Sequence, residues 1–174
     1  GAVFDEKKLH WVSGQHMFRL TGPQVFEMMN ALYPDWANRS TESFAMEVIS
    51  SLKDRVKSLS ELRNLSAFYF QDPENYEEKA VRKRWKDKSI NEFVQNYVLS
   101  LEGLTDWSEE NLESALRVSA EKLEISAGKL IHPVRLGLTG IGFGPSLFEL
   151  MQILGKEICI RRLKFALEKL PQSD

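Results

Sequence analysis

A single cysteine, Cys159, stands in the 174 residues. It excludes an internal disulfide framework and fits a reducing compartment. No apolar run approaches the roughly 20 residues that a membrane span requires. No charge-then-apolar stretch of a secretory leader is visible at the N-terminus. Only three histidines are present, His10, His16 and His132. None has a second histidine or a cysteine at metal-ligand spacing, so no zinc site is expected. Neither sign of charge dominates: 23 basic and 25 acidic residues leave −2, which argues against a general polyanion binder but not against a local basic face. Low-complexity tracts, internal repeats and Asn-Gly or Asp-Gly hairpins are missing as well.

The pattern that is present has a helical period. Val25, Phe26, Met29 and Leu32 form one stripe, and Phe44, Val48 and Leu52 a second, with Ala45 and Ile49 beside it. Phe93, Val94, Tyr97, Val98 and Leu101 make a third, and Leu112, Ala115, Leu116, Ala120 and Leu123 a fourth. Start signals agree: Pro23 after Thr21-Gly22, Ser58 with Glu61, Ser89 with Glu92, and Ser108 before Glu109 and Glu110. Pro145 opens a helix over Leu147–Leu154 that Gly155 stops. The best strand candidate is Val134–Leu138, weakened by Gly137. The expected fold is all-α, with seven to ten short helices.

Two stretches stand out in composition. Lys79–Lys88 carries six bases and one acid. It reads equally well as a solvated helix face or as a ridge beside phosphate. Ile125–Phe148 runs 24 residues without Asp or Glu and contains Lys129, His132, Arg135, Gly137, Gly140, Gly142 and Gly144, then Pro145. A glycine-rich loop leading into a proline-led helix offers backbone N–H groups to an anion. Phe143 and Phe148 offer flat faces for base stacking. Phe148 reads better as core, and Phe143 stays open between core and surface. Cys159, between Ile158 and Ile160, reads as a buried inert thiol. No phosphate-binding loop, nucleophile elbow or dinucleotide motif occurs. Nothing assembles an acid, a base and a nucleophile, so no catalytic residue is expected.

The acid-free stretch also carries a resemblance. Gly128-Lys129-Leu130-Ile131-His132-Pro133-Val134-Arg135-Leu136-Gly137-Leu138-Thr139-Gly140, then Gly144-Pro145-Ser146-Leu147-Phe148-Glu149 and Leu154-Gly155-Lys156-Glu157, resembles the C-terminal half of bacterial-type glutamyl-tRNA synthetases. Phe4-Asp5-Glu6-Lys7-Lys8-Leu9-His10-Trp11-Val12-Ser13-Gly14-Gln15-His16 is similar to the segment that follows the catalytic domain in that family, with Ser13 where Asn is usual. Asp54–Leu62 is similar to its R-x-K-T-L-x-E-L segment.

The resemblance implies two packed helical subdomains forming the anticodon-binding cage of a class I synthetase. It divides the chain into a connector over 1–20, a first subdomain over 21–88 and a second over 89–174. The catalytic domain, with its ATP and Mg²⁺, would lie upstream, and these residues would be inactive and cofactor-free alone. The partner would be the anticodon loop of glutamate tRNA, bound by a cytoplasmic monomer. Residue by residue, Arg55 would read the third anticodon base. Arg117, Arg135, Gly144 and Pro145 would contact the anticodon. Phe143, Lys129 and Arg84, read from the two stretches above and not from the resemblance, are candidate stacking or phosphate contacts. Arg55 leans towards a ligase that discriminates glutamate from glutamine tRNA. Arg117 is also placed to pair with Glu113 or Glu121 on its own helix. A protein-interaction helical module remains the alternative. A helix-turn-helix DNA binder is demoted because no recognition helix rich in Arg, Lys, Asn or Gln is present.

Overall fold

The computed structural model describes residues 14–38 and 40–171. Residues 4–13 of the N-terminal motif, with His10 and Trp11, lie outside them. The described residues are helical and contain no strand. The chain divides after Gln71 into two compact units.

The first unit holds α1 (Gly14–Arg19), α2 (Gly22–Leu32), α3 (Glu42–Leu52), a 3-10 turn (Lys53–Arg55) and α4 (Leu59–Phe70). Thr21 caps α2 in a complete capping box with Gln24, and Pro23 sits in the first turn where its missing N–H costs nothing. Ser58 caps α4 by accepting from Glu61 N–H. The Glu61 carboxylate accepts not from the cap residue but from Lys57 N–H, at 2.8 Å. Val25, Met29, Val48, Ile49, Leu52 and Leu62 are fully buried between α2, α3 and α4.

The second unit holds α5 (Glu78–Arg84), α6 (Ser89–Glu102), α7 (Glu109–Lys122), α8 (Gly128–Thr139), α9 (Leu147–Leu154) and α10 (Lys156–Lys169). Helix α10 packs on α6 and α8, and α7 packs on α6 and α9. The 72–88 segment belongs to this unit, not to the first subdomain where the sequence reading put it. The reason is apolar. Ala80, Val81 and the fully buried Trp85 face α8, and Trp85 Nε1 donates to Asn91 at 3.0 Å. Asn91 in turn donates to the carbonyls of Leu167 and Leu170, at 3.1 and 2.9 Å, at the end of α10.

Three local expectations change. Val134–Leu138 lies within α8, with Pro133 inside the helix at the cost of one ladder bond. Ser89 is not a cap: the Asp87 carboxylate accepts from both its N–H and its hydroxyl. Gly137 is not in a loop but at a close helix crossing, where a Cβ would stand 3.1 Å from Leu163 and 3.2 Å from Ala166. By contrast Ser108 caps α7 as expected, accepting from Asn111 N–H at 3.3 Å, with Glu109 and Glu110 at the positive end of the helix. Ser108→Ala should therefore lower the stability of the second unit by about 1 kcal/mol, read as the shift of its urea midpoint at constant slope.

Candidate nucleic-acid interface

The candidate interface on the second unit grows out of the end of α8. Gly140 closes that helix in the left-handed conformation, φ 78°. Its carbonyl accepts from Glu77 N–H at 2.8 Å, which ties the helix end to the turn before α5. Thr139 Oγ1 donates to the Arg135 carbonyl at 2.8 Å and accepts from Ile141 N–H at 3.2 Å, so the first loop residue is held by the last helical one.

The loop 141–146 then presents Phe143, whose side chain is 66% exposed. Phe148, expected in the core, is half-buried instead, because Leu147, Leu150, Met151 and Leu154 take the inward face of α9. Arg135 reaches from α8 under this loop and donates to the Pro145 carbonyl through Nη1. Gly144 adjoins the same guanidinium: a Cβ there would stand 3.6 Å from Nη1. Arg135, Gly144 and Pro145 thus form one assembly, with the arginine supporting the loop from below.

The loop is not a free nest of N–H donors. Gly142 N–H is taken by the Glu77 carboxylate at 3.2 Å, 65 residues away in the chain. No pattern in the sequence signals that pairing.

The other expected residues are distributed differently. Arg84 and Lys129 meet at one cavity of about 510 Å³ in the second unit, which His132 also lines. Burial holds the His132 imidazole below its ordinary pKa, and Arg84, Arg135 and Lys83 add to the effect. Arg117 sits on α7 and pairs with Glu113 one turn back, at 2.8 Å from Nη2 and 3.1 Å from Nε, the ordinary geometry of an exposed i,i+4 pair. Arg55 lies in the first unit as the exposed last residue of the 3-10 turn, between buried Leu52 and Val56. Among the described residues it has no carboxylate at ion-pair distance, because neighbouring Asp54 pairs with Lys53 at 2.9 Å.

Several motif residues are structural. Lys156 donates to the carbonyls of Glu102 and Leu104, at 2.9 and 2.6 Å, where it satisfies the C-terminal end of α6. Gly155 takes φ 88° at the junction of α9 and α10. Cys159 is fully buried, and burial pushes its thiol up to about 12, so it is inert. Among the described residues no cluster of His, Cys, Asp and Glu is arranged to hold a metal ion, and no helix is long and apolar enough to cross a membrane.

An all-helical chain with a basic cavity and an arginine-braced loop has the makings of an RNA-reading module, and comparison with known proteins agrees. The family described as anticodon binding domain matches residues 24–167, and the chain belongs to that family.

Its relatives include the glutamate–tRNA ligase of Chloroherpeton thalassium, 33% identical over 180 residues that cover 98% of this chain and 36% of the relative. The glutamate–tRNA ligase of Moorella thermoacetica is 34% identical over 170 residues, 93% of this chain and 34% of the relative. Among solved structures, the glutamate tRNA ligase of Elizabethkingia meningosepticum in complex with its amino acid superposes with a TM-score of 0.83. Its identity is 26%, covering 98% of this chain and 34% of that one. The chain spans about a third of the length of the ligases it matches.

Proposed function

We propose that this chain is the anticodon-reading region of a glutamate–tRNA ligase. In this reading the whole protein joins glutamate to its tRNA in the cytoplasm, with ATP and Mg²⁺ used outside these residues. The observation that carries it is the family match over residues 24–167. The geometry supports it in the second unit. The Arg135–Pro145 brace holds a loop that carries the exposed Phe143 ring, a flat face of the kind that stacks on splayed, unstacked bases. Arg135 acts through the loop: it holds Pro145, which is buried rather than open to a base as expected, and half-buried Gly144, beside the exposed Phe143.

The test is binding of the 174-residue chain to a glutamate tRNA transcript and to the same transcript with the anticodon replaced. Preference for the native anticodon is the expected result. Equal binding to both, or none, favours the protein-interaction module.

Arg55 is proposed to read the third anticodon base, which is cytosine in glutamate tRNA and guanine in glutamine tRNA. Cytosine offers acceptors on its pairing edge that an arginine fork satisfies. Guanine presents N–H donors there and leaves the charge unpaired. The exposed guanidinium, with no carboxylate partner among the described residues, is available for that contact. Arg55→Gln should narrow the preference between the two tRNAs by ~1–3 kcal/mol, the usual worth of a bidentate base contact. Relative charging of the two tRNAs by the full-length ligase measures it, and an unaltered ratio would make Arg55 a surface arginine only.

A further inference from the structure

The cavity beside α5 and α8 has a charge imbalance that folding leaves uncompensated. Lys83, Arg84 and Lys86 reach it from the end of α5 and the turn after it, and Lys129 from the first turn of α8. Among the described residues none of the four cations has a carboxylate at ion-pair distance, although Arg82 of the same helix pairs with Glu78 at 3.2 Å. The one acid on the cavity wall, Asp87, accepts from Ser89 N–H at 2.9 Å and from the Ser89 hydroxyl, so it is already engaged at the start of α6. Its carboxyl is held below the usual range first by those two hydrogen bonds. Burial, then its cationic neighbours, lower the pKa of His132 at the wall. Four cations line about 510 Å³, ample room for a phosphate group.

We infer that this cavity receives backbone phosphates of the bound RNA, a sequence-independent contact separate from the loop that meets the bases. The inference rests on the tRNA reading above and adds to it a positioning surface. Phosphate contacts set register while base contacts set specificity. Lys83, Lys86 and Lys129 are exposed point charges suited to a mobile phosphodiester chain.

The experiment compares Lys86→Gln/Lys129→Gln with a charge-matched control, Lys122→Gln/Lys169→Gln, whose lysines lie elsewhere in the same unit. All four side chains are exposed, so both variants should keep the wild-type melting temperature. Binding to the glutamate tRNA transcript is followed across salt concentrations. The cavity variant should show a log K against log salt slope shallower by about 1.5, from two lost contacts at roughly 0.7–0.9 each. Its affinity should fall on the order of tenfold at low salt, by the same factor for native and replaced anticodons. The control should keep the wild-type slope. RNA binding should also raise the pKa of His132, read from its ring proton resonances, as phosphates offset Arg84 and Lys83.

An unchanged slope in the cavity variant, with anticodon preference intact, overturns this inference and leaves the proposed function standing. Absence of anticodon preference in the wild-type chain overturns the tRNA reading first. Competition by inorganic pyrophosphate at micromolar concentration would assign the cavity to a free polyphosphate instead and overturn the inference as stated.

Discussion

Replacing Asp72 with Ala should lower the stability of the second unit by about 3 kcal/mol. Asp72 begins this unit and receives Arg161 through two hydrogen bonds, at 3.0 and 2.9 Å, and Arg162 Nε at 2.8 Å. Arg162 is buried to 3% exposure, and its Nη1 donates to the Leu138 carbonyl at 2.8 Å. The Asp72 carboxylate thus accepts from a buried guanidinium that also holds α8 near its end. Breaking a buried, hydrogen-bonded ion pair by removing one partner costs roughly 3–5 kcal/mol. The low end applies here, since the Asp72 side chain is 47% exposed and water can solvate part of the gap. Asp72→Asn keeps an acceptor and should recover about half of the loss. Urea unfolding followed by tryptophan fluorescence measures both, and a loss under about 1 kcal/mol for the alanine variant would show that the pair is incidental.

The same group sets an acid limit. The Arg161 hydrogen bond holds the Asp72 carboxyl below its ordinary pKa; burial opposes this, and the Arg162 hydrogen bond and charge add to it. A carboxylate depressed on folding contributes its stability fully above the unfolded value of about 3.9 and loses it as pH falls through the folded value. The wild type should therefore lose this contribution only below about pH 4. Between pH 7 and pH 5 the difference between wild type and Asp72→Ala should stay constant, and it should shrink on further acidification.

Gly140→Ala should cost about 3–4 kcal/mol and weaken RNA binding with it. The residue sits at φ 78°, where a side chain costs roughly 1–2 kcal/mol. A Cβ would also lie 2.7 Å from the Asn75 carbonyl oxygen and 3.1 Å from Pro73 Cβ. The obstructing oxygen is backbone, in a turn clamped by the Glu77-to-Gly140 hydrogen bond, so relief requires the turn to leave the helix end. Overpacking of this kind adds about 1–3 kcal/mol. Gly155→Ala is a comparison without steric contact: its φ is also positive, 88°, but nothing lies within 4 Å of a Cβ there. It should show a conformational cost alone, on the order of 1–3 kcal/mol, since φ 88° with ψ 162° is a region that essentially glycine alone occupies. A loss of under about 2 kcal/mol for Gly140→Ala would remove the steric part, because the left-handed conformation alone accounts for that much. Because the candidate loop departs from Gly140, the alanine variant should also bind tRNA less tightly than the Gly155 variant at a temperature where both are folded.

Much of the helical architecture was legible in the residues alone. The stripes of α3, α6 and α7, the caps at Thr21, Ser58 and Ser108, and the stop at Gly155 depend on contacts within about four positions along the chain. Hydrophobic period and cap chemistry report those contacts directly. The family resemblance was legible for a related reason, because its motif residues lie close together in sequence between Gly128 and Glu157. Where local signals compete, packing between helices or a nearer partner decides. Val134, Leu136 and Leu138 alternate as in a strand, but burial on α5, α6 and α10 makes the segment helical despite Pro133. Ser89 had capping-box spacing with Glu92, and Asp87, two residues earlier, claimed its N–H instead.

Only the tertiary structure decided where the units divide, what Arg135 does and where the positive charge gathers. The division follows Trp85, whose burial against α8 pulls the basic segment into the second unit. The loop is fixed by Glu77 from 65 residues away, and Arg162 is paired from 90 residues away. Lys86 and Lys129 share a cavity only because α5, α6 and α8 pack together. Helix periods and caps are written within one or two turns of chain, whereas ion pairs, close glycine contacts and charge clusters are closed by packing between helices, which no single stretch of the sequence specifies.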